Sequence, residues 1–457
     1  MMVVLLTAAL PVLVACLLLL VPTAAGAARM AGATSLAVLL GLVLQRGLVG
    51  ESRVALMVIA VLTSGALLGK SYGTLRHRGI AASLFLLAGH GLALAANDLR
   101  LVLLGWVGGP MASWWLSGLE PRPTAEGRRF RAMAGLYGAA STACLLTAVT
   151  LAARLAAAKG LPAFDVATWR ELAHDDGFLA VDILAILAIA MRAGLVPFHS
   201  WVPVVACDAP VLTAVLFVCP LSSLALLDRL ALTAASLGRG LHPVLAVAGL
   251  LTSLVASLLA IAERRFAKVV ALVVMSQTGT AFVAMAVGSE LAVRGAHAAL
   301  AVVSLAGGAL LLLSSQVEAR FGVLERGTIA GIAQTLPRLA TFAMVGTLAL
   351  IGVPGSLGFV GSELMARGLF EEHPVLTLVA SASSALASMA MMRSTFRIFF
   401  GTSFRVPKAI ADGRFHELAA LSWLLAVLLL GGIFPDVFMA LGPRGPDVSA
   451  ATLPLLE

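Results

Sequence analysis

Seven ionisable residues lie within or beside long apolar stretches, where the chemistry to consider is the movement of protons or ions. They are Arg192, His199, Glu363, His297, His90, Asp182 and Asp208. A charge at mid-membrane costs about 3 kcal/mol or more, so it usually persists because it forms an ion pair or relays protons. Arg192 and His199 have the strongest claim, because they flank a proline-rich interruption of the apolar pattern. His90 is as compatible with a helix–helix hydrogen bond as with a relay, and Asp182 as compatible with the headgroup region as with the interior.

No other pattern indicates catalysis by this chain alone. The four cysteines lie in apolar stretches without the spacing of metal ligands. There is no glycine-rich nucleotide loop, and no loop is long enough to form a soluble domain. We therefore expect no catalytic residue, no cofactor and no metal.

The elements that position these residues are membrane-spanning helices. Of the 457 residues, 60% are apolar and 12% charged, whereas a soluble domain is about half apolar and a quarter charged. The apolar residues form runs of about twenty, the length that crosses a bilayer as a helix. The predicted fold is an all-α polytopic membrane protein with about fourteen spans. We place these spans at 2–21, 31–49, 53–70, 80–97, 100–118, 131–157, 178–197, 209–235, 241–262, 266–287, 292–315, 337–365, 374–399 and 416–442.

The net charge of +8 does not indicate nucleic-acid binding, because the basic residues occur singly or in small groups between the apolar runs. They are concentrated in the loops that follow odd-numbered spans, as at 122–131 and 264–268. Excess basic charge marks cytoplasmic loops. We therefore predict that both termini lie outside the cytoplasm, with the bacterial inner membrane as the expected location.

Two of the predicted spans are interrupted. The seventh ends in a segment containing Pro197 and Pro203, and the twelfth contains Pro354 and Gly355. Proline removes a helix donor and clashes with the preceding turn, and non-helical backbone at membrane depth requires protein or water to satisfy it. Paired broken helices are typical of inverted-repeat transporters, although kinks in purely structural helices are the alternative. These breaks predict an N-terminal segment (1–79), two inverted five-helix repeats (80–235 and 236–400) and a C-terminal helix with a tail (401–457).

The residues around the first break resemble a known family. Arg192-Ala-Gly-Leu-Val-Pro-Phe-His-Ser-Trp-Val-Pro203, followed by Ala209-Pro210, is similar to the Lys-Ser-Ala-Gln-x-Pro-x-His-x-Trp-x-Pro…Ala-Pro signature of proton-conducting antiporter-like subunits. That family comprises the L/M/N-type chains of respiratory complex I and the related chains of Mrp antiporters, membrane-bound hydrogenases and DAB-type inorganic carbon uptake complexes. Weaker similarities occur at Lys268–Gly279 and at Gly352–Glu363.

The resemblance implies buried lysines that relay protons, and the sequence departs from that pattern. The acid expected after Trp106 is Val107, and the lysine of the seventh span is Arg192. At the other two positions where the family has a lysine, this chain has Leu305 and Ser362. It retains Glu363, the acid next to Ser362, and His297, the first histidine of the family pattern that ends at position 305. Arginine stays charged when lysine would release its proton, so the usual proton relay is interrupted.

The resemblance implies a membrane subunit of a complex I/Mrp-like proton- or cation-translocating assembly, coupled to other membrane or soluble subunits within the lipid bilayer. The chain would then not be catalytic alone, but could belong to a proton-translocating oxidoreductase or transport complex. Two alternatives remain open: a DAB-type subunit for bicarbonate or CO2 uptake, and a non-conducting structural or anchoring subunit. As a hypothesis, Arg192 pairs with an acid, either Asp182 or an acid on a neighbouring helix, and orders water around His199.

Overall fold

The computed structural model describes residues 4–20, 24–44, 50–68, 77–118, 125–173, 175–230, 242–402 and 411–435, and it contains no β-strand within them. A π-helical turn, Leu5–Ala9, leads into the first α-helix. The α-helices are α1 (Leu10–Leu20), α2 (Ala24–Leu44), α3 (Gly50–Leu68), α4 (His77–Ala95), α5 (Leu99–Gly118), α6 (Ala125–Ala158), α7 (Val166–Leu172), α8 (Leu179–Ala193), α9 (Trp201–Asp208), α10 (Val211–Phe217), α11 (Leu221–Arg229), α12 (His242–Ala262), α13 (Phe266–Val287), α14 (Glu290–Phe321), α15 (Pro337–Leu350), α16 (Leu357–Glu372), α17 (Pro374–Phe399) and α18 (Phe415–Ile433).

The predicted all-helical membrane architecture is confirmed. Each of the fourteen predicted spans coincides with a helix or with a pair of half-helices over the described residues. Among the described residues, eight helical stretches are long and apolar enough to cross a membrane, with Val211–Arg229 counted as one stretch, and four shorter apolar helices accompany them. Helices α13 and α14 are buried over their whole membrane-spanning windows, so they form the centre of the bundle. A helix that is apolar on every face is expected in this position.

Small residues bring the central helices into backbone contact. A Cβ atom on Gly279 of α13 would lie 2.4 Å from the Gly249 carbonyl oxygen of α12. Likewise, a Cβ on Gly361 of α16 would lie 2.6 Å from the Ala299 amide nitrogen of α14. Lipid provides no hydrophobic force between helices, so such close packing is a main source of their association.

The first predicted break lies between α8 and α9. Gly194 ends α8 with a φ of 74°, and residues 194–200 are not α-helical. The Val196 amide donates to the Thr252 hydroxyl at 2.8 Å, and the Trp201 indole donates to the Met191 carbonyl at 2.9 Å. These bonds satisfy polar backbone that the break exposes. The prediction was wrong for Pro203, which lies in the first turn of α9, where a missing N–H is tolerated.

The second predicted break lies between α15 and α16. Pro354 and Gly355 occupy it, both are exposed, and Gly355 has a φ of 92°. Gly352 also lies in the left-handed region, with a φ of 73°. The interruption is confirmed, whereas the division into inverted repeats at 80–235 and 236–400 stays a prediction.

The eighth predicted span, 209–235, is not continuous. Helix α10 ends at Phe217 and α11 begins at Leu221, with Cys219 and Pro220 between them. Pro220 cannot donate the backbone hydrogen bond that an unbroken helix requires. This third break places Cys219 beside a small internal cavity, described below.

The loop after the sixth span contains a short helix that the sequence reading missed. Helix α7 is capped by Asp165, whose carboxylate accepts from the Ala167 amide. Its Trp169 is fully buried and packs edge-on against Phe178, with ring centroids 5.2 Å apart. Seven residues are too few to establish a helical hydrophobic period against a loop background.

Candidate functional site

Arg192 lies in the last turn of α8 and contacts aromatic rings. Its guanidinium carbon is 5.0 Å from the centroid of Trp106 on α5 and 5.6 Å from that of Phe217 on α10. The Trp106 indole is held in place because it donates to Ser141, whose hydroxyl donates in turn to the Ala188 carbonyl. Arginine stacks on such rings through cation–π attraction.

The expected ion pair of Arg192 is not observed. Among the residues that the structure describes, no carboxylate lies within 4 Å of its guanidinium. Asp182 is on the same helix, about 15 Å away along the axis. Val107 occupies the position where the family resemblance would place an acid, and it is apolar. The guanidinium therefore lies against aromatic rings and has no carboxylate partner among the described residues.

An open groove of about 600 Å³ lies in front of Arg192, between α5, α6 and α8–α10. We call it the Arg192 groove. Its walls are aromatic and aliphatic, with Arg192 as the one charged residue in the lining. The lining residues are Trp106, Val107, Pro110, Met111, Trp114, Ala134, Gly135, Tyr137, Gly138, Ala139, Thr142, Ala143, Leu146, Met191, Arg192, Trp201 and Phe217.

A smaller, more polar cavity of about 10 Å³ lies on the other side of Arg192. It is lined by His90, Cys219, Ser222 and Ser223 together with Arg192 and three apolar side chains. The His90 Nδ1 lies 2.7 Å from the Leu86 carbonyl oxygen, a bond that a protonated Nδ1 satisfies. His90 and Arg192 thus share a cavity, a proximity that their positions in the sequence did not indicate.

His199 lies in the first break and does not line the Arg192 groove. Its Nδ1 is buried and has no hydrogen-bond partner among the described residues. The neighbouring Ser200 hydroxyl is 2.7 Å from the Tyr137 hydroxyl. The break is therefore attached to α6 through the residue beside the histidine.

Asp182 and Asp208 occupy different environments. Asp182 is fully buried by protein in the first turn of α8. Asp208 ends α9 with its side chain 4% exposed, and its carboxylate lies 3.9 Å from Arg129 and 3.8 Å from Arg265. These three charged residues line a cavity of about 510 Å³ whose other charged lining residues are Glu263, Arg264, Lys268 and Glu325.

One carboxylate of this charged cavity is held in its ionised form. Burial raises the pKa of Glu263, but hydrogen bonds from the backbone amides of Arg265 and Arg264, together with the nearby Lys268, bring the pKa below its ordinary value. Lys268, whose Nζ is 3.6 Å from the carboxylate, acts in the same direction. The cavity therefore combines a salt-bridged acid in the loop with the buried Asp208.

His297 and Glu363 line neither the Arg192 groove nor the two other cavities described above. His297 is buried in α14, with Nδ1 3.0 Å from the Val293 carbonyl oxygen and with no partner for Nε2 among the described residues. Glu363 lies on the outer surface of α16, where its side chain is 43% exposed and pairs with Arg367 at 2.7 Å. Of the seven candidates, only His90 and Arg192 are brought together at one cavity. No metal-binding cluster occurs within the described ranges.

Sequence reasoning did not single out Arg229, which lies within the eighth predicted span, 209–235. The side chain is buried and donates to the carbonyls of Ala93 and Ala96 and to the Asn97 side chain. These are acceptors at the end of α4, where helix carbonyls lack partners of their own. Arg229 caps one helix from another, a role that no local pattern in the sequence reveals.

Comparisons with known proteins agree with this architecture. Residues 96–388 match the family described as NADH:quinone oxidoreductase/Mrp antiporter, TM. The NADH-quinone oxidoreductase subunit M of Pseudomonas aeruginosa is 26% identical over 302 residues, which cover 65% of this chain and 57% of that relative. Subunit 13 from Thermus thermophilus is 32% identical over 193 residues, or 41% of this chain and 39% of that protein. The chain thus spans 57% of the length of the first of these curated relatives and 39% of the second.

Two solved structures share the fold along nearly the whole chain. A chain of the respiratory complex I from Thermus thermophilus with bound NADH aligns with a TM-score of 0.85 at 24% identity, covering 96% of this chain and 98% of the other. A chain of the Mrp complex from Dietzia sp. DQ12-45-1b aligns with a TM-score of 0.80 at 19% identity, covering 96% of both. At these identities the likeness concerns the fold.

Proposed function

The chain belongs to the NADH:quinone oxidoreductase/Mrp antiporter transmembrane family, and we propose from this that it is a membrane subunit of a complex I- or Mrp-type ion-translocating assembly. It is an integral membrane protein. The proposal includes other subunits as partners, because chains of the same fold occur in a respiratory complex I and in an Mrp complex. Ion movement through the assembly would be coupled to those partners.

The observation that carries the proposal is the first broken helix, beside which Arg192 lies. The break is retained, with its own hydrogen bonds to α12 and α8, at the position where the family resemblance places a relay lysine. Because arginine does not release its proton, this chain supplies a fixed positive charge there. Val107, which lines the groove, and Leu305, which is fully buried, have aliphatic side chains. Neither position can therefore titrate.

The orientation proposed from the basic loops places the charged cavity of Asp208 on the cytoplasmic side of a bacterial inner membrane. Arg129, Arg265 and Lys268 lie in or beside loops that follow odd-numbered predicted spans. Reporter fusions after the third, fifth and ninth predicted spans should report cytoplasm, and fusions at both termini should report the outside. An external signal from the segment 122–131 would contradict this topology.

Purification and reconstitution test the proposed function. The tagged full chain, extracted from its host in mild detergent, should co-purify with at least one other subunit. In proteoliposomes, the isolated chain should give little cation-driven proton flux, because its relay positions do not titrate. Robust antiport by the single chain would refute the proposal.

A second candidate is a structural subunit that retains the fold without conducting ions. The apolar Val107 and Leu305 and the fixed charge of Arg192 favour it. Replacing Arg192 by lysine introduces a group that can titrate at the same place. A changed proton flux through the complete assembly in Arg192→Lys, at equal complex content, supports a conducting role, and an unchanged flux supports the structural role.

A further inference from the structure

The Arg192 groove presents a positive charge for which this chain supplies no anion within its described residues. The Arg192 side chain is half-buried, and two ring faces stack against its guanidinium. A guanidinium has five N–H donors arranged to suit a carboxylate, and aromatic faces do not satisfy them. A buried charge without a partner is costly, so the groove is complementary to an anion.

The shape of the groove suits a helix. Its α6 wall includes five small residues, Ala134, Gly135, Gly138, Ala139 and Ala143, beside the larger Tyr137, Thr142 and Leu146. Stretches of small residues allow the backbone of another membrane helix to approach closely. The groove opens to the outside of the chain, where Met111 is 60% and Leu146 46% exposed.

The depth of Arg192 distinguishes a helix from a lipid headgroup. Trp106, against which Arg192 stacks, is about 10 Å along α5 from its start at Leu99, and Arg192 is about 20 Å along α8 from Leu179. The hydrocarbon core is about 30 Å thick, so both residues lie near its middle. A lipid phosphate remains at the headgroup level, whereas an acid on a membrane-spanning helix can lie at this depth.

We propose that a transmembrane helix of a partner subunit lies in the Arg192 groove and that an Asp or Glu of that helix pairs with Arg192. The partner would thus supply in trans the carboxylate that Val107 does not supply within this chain. The inference rests on the proposed function, because it requires a partner subunit in the membrane. It adds the surface of this chain that the partner contacts and the chemistry that recognises it.

Site-specific photo-crosslinking in the host tests this contact. A benzophenone amino acid is placed at position 146, which lines the groove, and in a separate variant at position 251 on α12, which lies outside it. Leu146 and Leu251 are both 46% exposed, so they form a matched pair. Illumination should link position 146, but not position 251, to a membrane-spanning peptide of another subunit that contains an Asp or Glu.

The charge pair is then tested by a double-mutant cycle. Arg192→Met in this chain, or the amide replacement of the partner acid, should each lower the crosslink yield at position 146 by about tenfold or more. Combining the two changes should restore much of the yield, because neither charge is then left alone. Arg192→Lys should retain more crosslink than Arg192→Met.

Three results would overturn the inference: crosslinking of position 146 to lipid alone, to a second copy of this chain, or to a span without an acidic residue. An unchanged yield in Arg192→Met would do the same. In each case the proposed function stands if other subunits still co-purify with the chain. If the chain purifies without any other subunit, the proposed function fails as well.

Discussion

Replacing Gly279 with alanine should force α12 and α13 apart at the centre of the bundle. The new Cβ would lie 2.4 Å from the Gly249 carbonyl oxygen and 2.6 Å from the Ser253 amide nitrogen. Both are backbone atoms, so no side-chain rotation relieves the clash. Ordinary contact requires about 3.5 Å, and the two helices would therefore have to separate by about 1 Å.

The same movement would break hydrogen bonds that join these helices. The Ser253 hydroxyl lies 3.0 Å from that of Thr280 and 3.3 Å from that of Ser276, and a separation near 3.6 Å no longer counts as a bond. Overpacking typically costs about 1–3 kcal/mol, and each bond between membrane helices contributes about 0.6 kcal/mol. Alanine returns about 0.5–1 kcal/mol through its higher helix propensity. We expect a net loss of about 2 kcal/mol, an estimate that rests on these ranges.

Gly108→Ala is the matched control, because a Cβ on Gly108 meets nothing within 4 Å. Only the propensity gain applies there, so the two variants should differ by about 3 kcal/mol. The assay is SDS-induced unfolding of the purified full chain, followed by labelling of the buried Cys219 in a background with the other three cysteines replaced by alanine. If Gly279→Ala were as stable as Gly108→Ala, α12 and α13 would not be in backbone contact, and the packing argument would fail.

Three further predictions use the same unfolding assay. Arg229→Met should lower stability by about 3 kcal/mol, because it leaves buried carbonyls such as that of Ala96 without donors. Arg229→Lys should recover part of the loss. If Arg229→Met were as stable as the unmodified chain, the cap on α4 would be dispensable. Trp201→Phe should cost about 1 kcal/mol, because it removes the bond to the Met191 carbonyl across the first break, and no measurable loss would mean that this bond does not hold the break. Glu363→Gln should change the stability of the isolated chain by under about 1 kcal/mol, because its ion pair is exposed; a larger loss would place the carboxylate in a buried network.

The sequence alone predicted the membrane spans and two of the breaks for a clear physical reason. Runs of about twenty apolar residues have few stable arrangements other than helices that cross a bilayer. Proline and glycine interrupt the backbone ladder wherever they occur, as at Pro197 and Pro354. Pro220, at the third break, also interrupts the backbone ladder. The sequence nevertheless predicts one continuous span over 209–235, because a single proline lies within a long apolar run.

The environments of the charged residues required the tertiary structure. The sequence was enough to predict that Arg192 carries a fixed charge in place of a titrating one, because this property depends on residue type alone. The neighbours of Arg192 could not be predicted from the sequence, since Trp106 and Phe217 belong to two other helices. In the same way, neither the exposure of Glu363 nor the capping of α4 by Arg229 follows from local spacing.

The sequence by itself therefore determined that this chain is a membrane-spanning helical bundle with interrupted helices and without the usual titrating lysines. The tertiary structure decided that Arg192 faces aromatic rings and an open groove, and that His90 shares its inner cavity. The physical reason is that hydrophobic length and backbone chemistry act locally along the chain. Which side chains meet is set by helix packing, and here glycine contacts such as Gly249–Gly279 set how closely the helices approach.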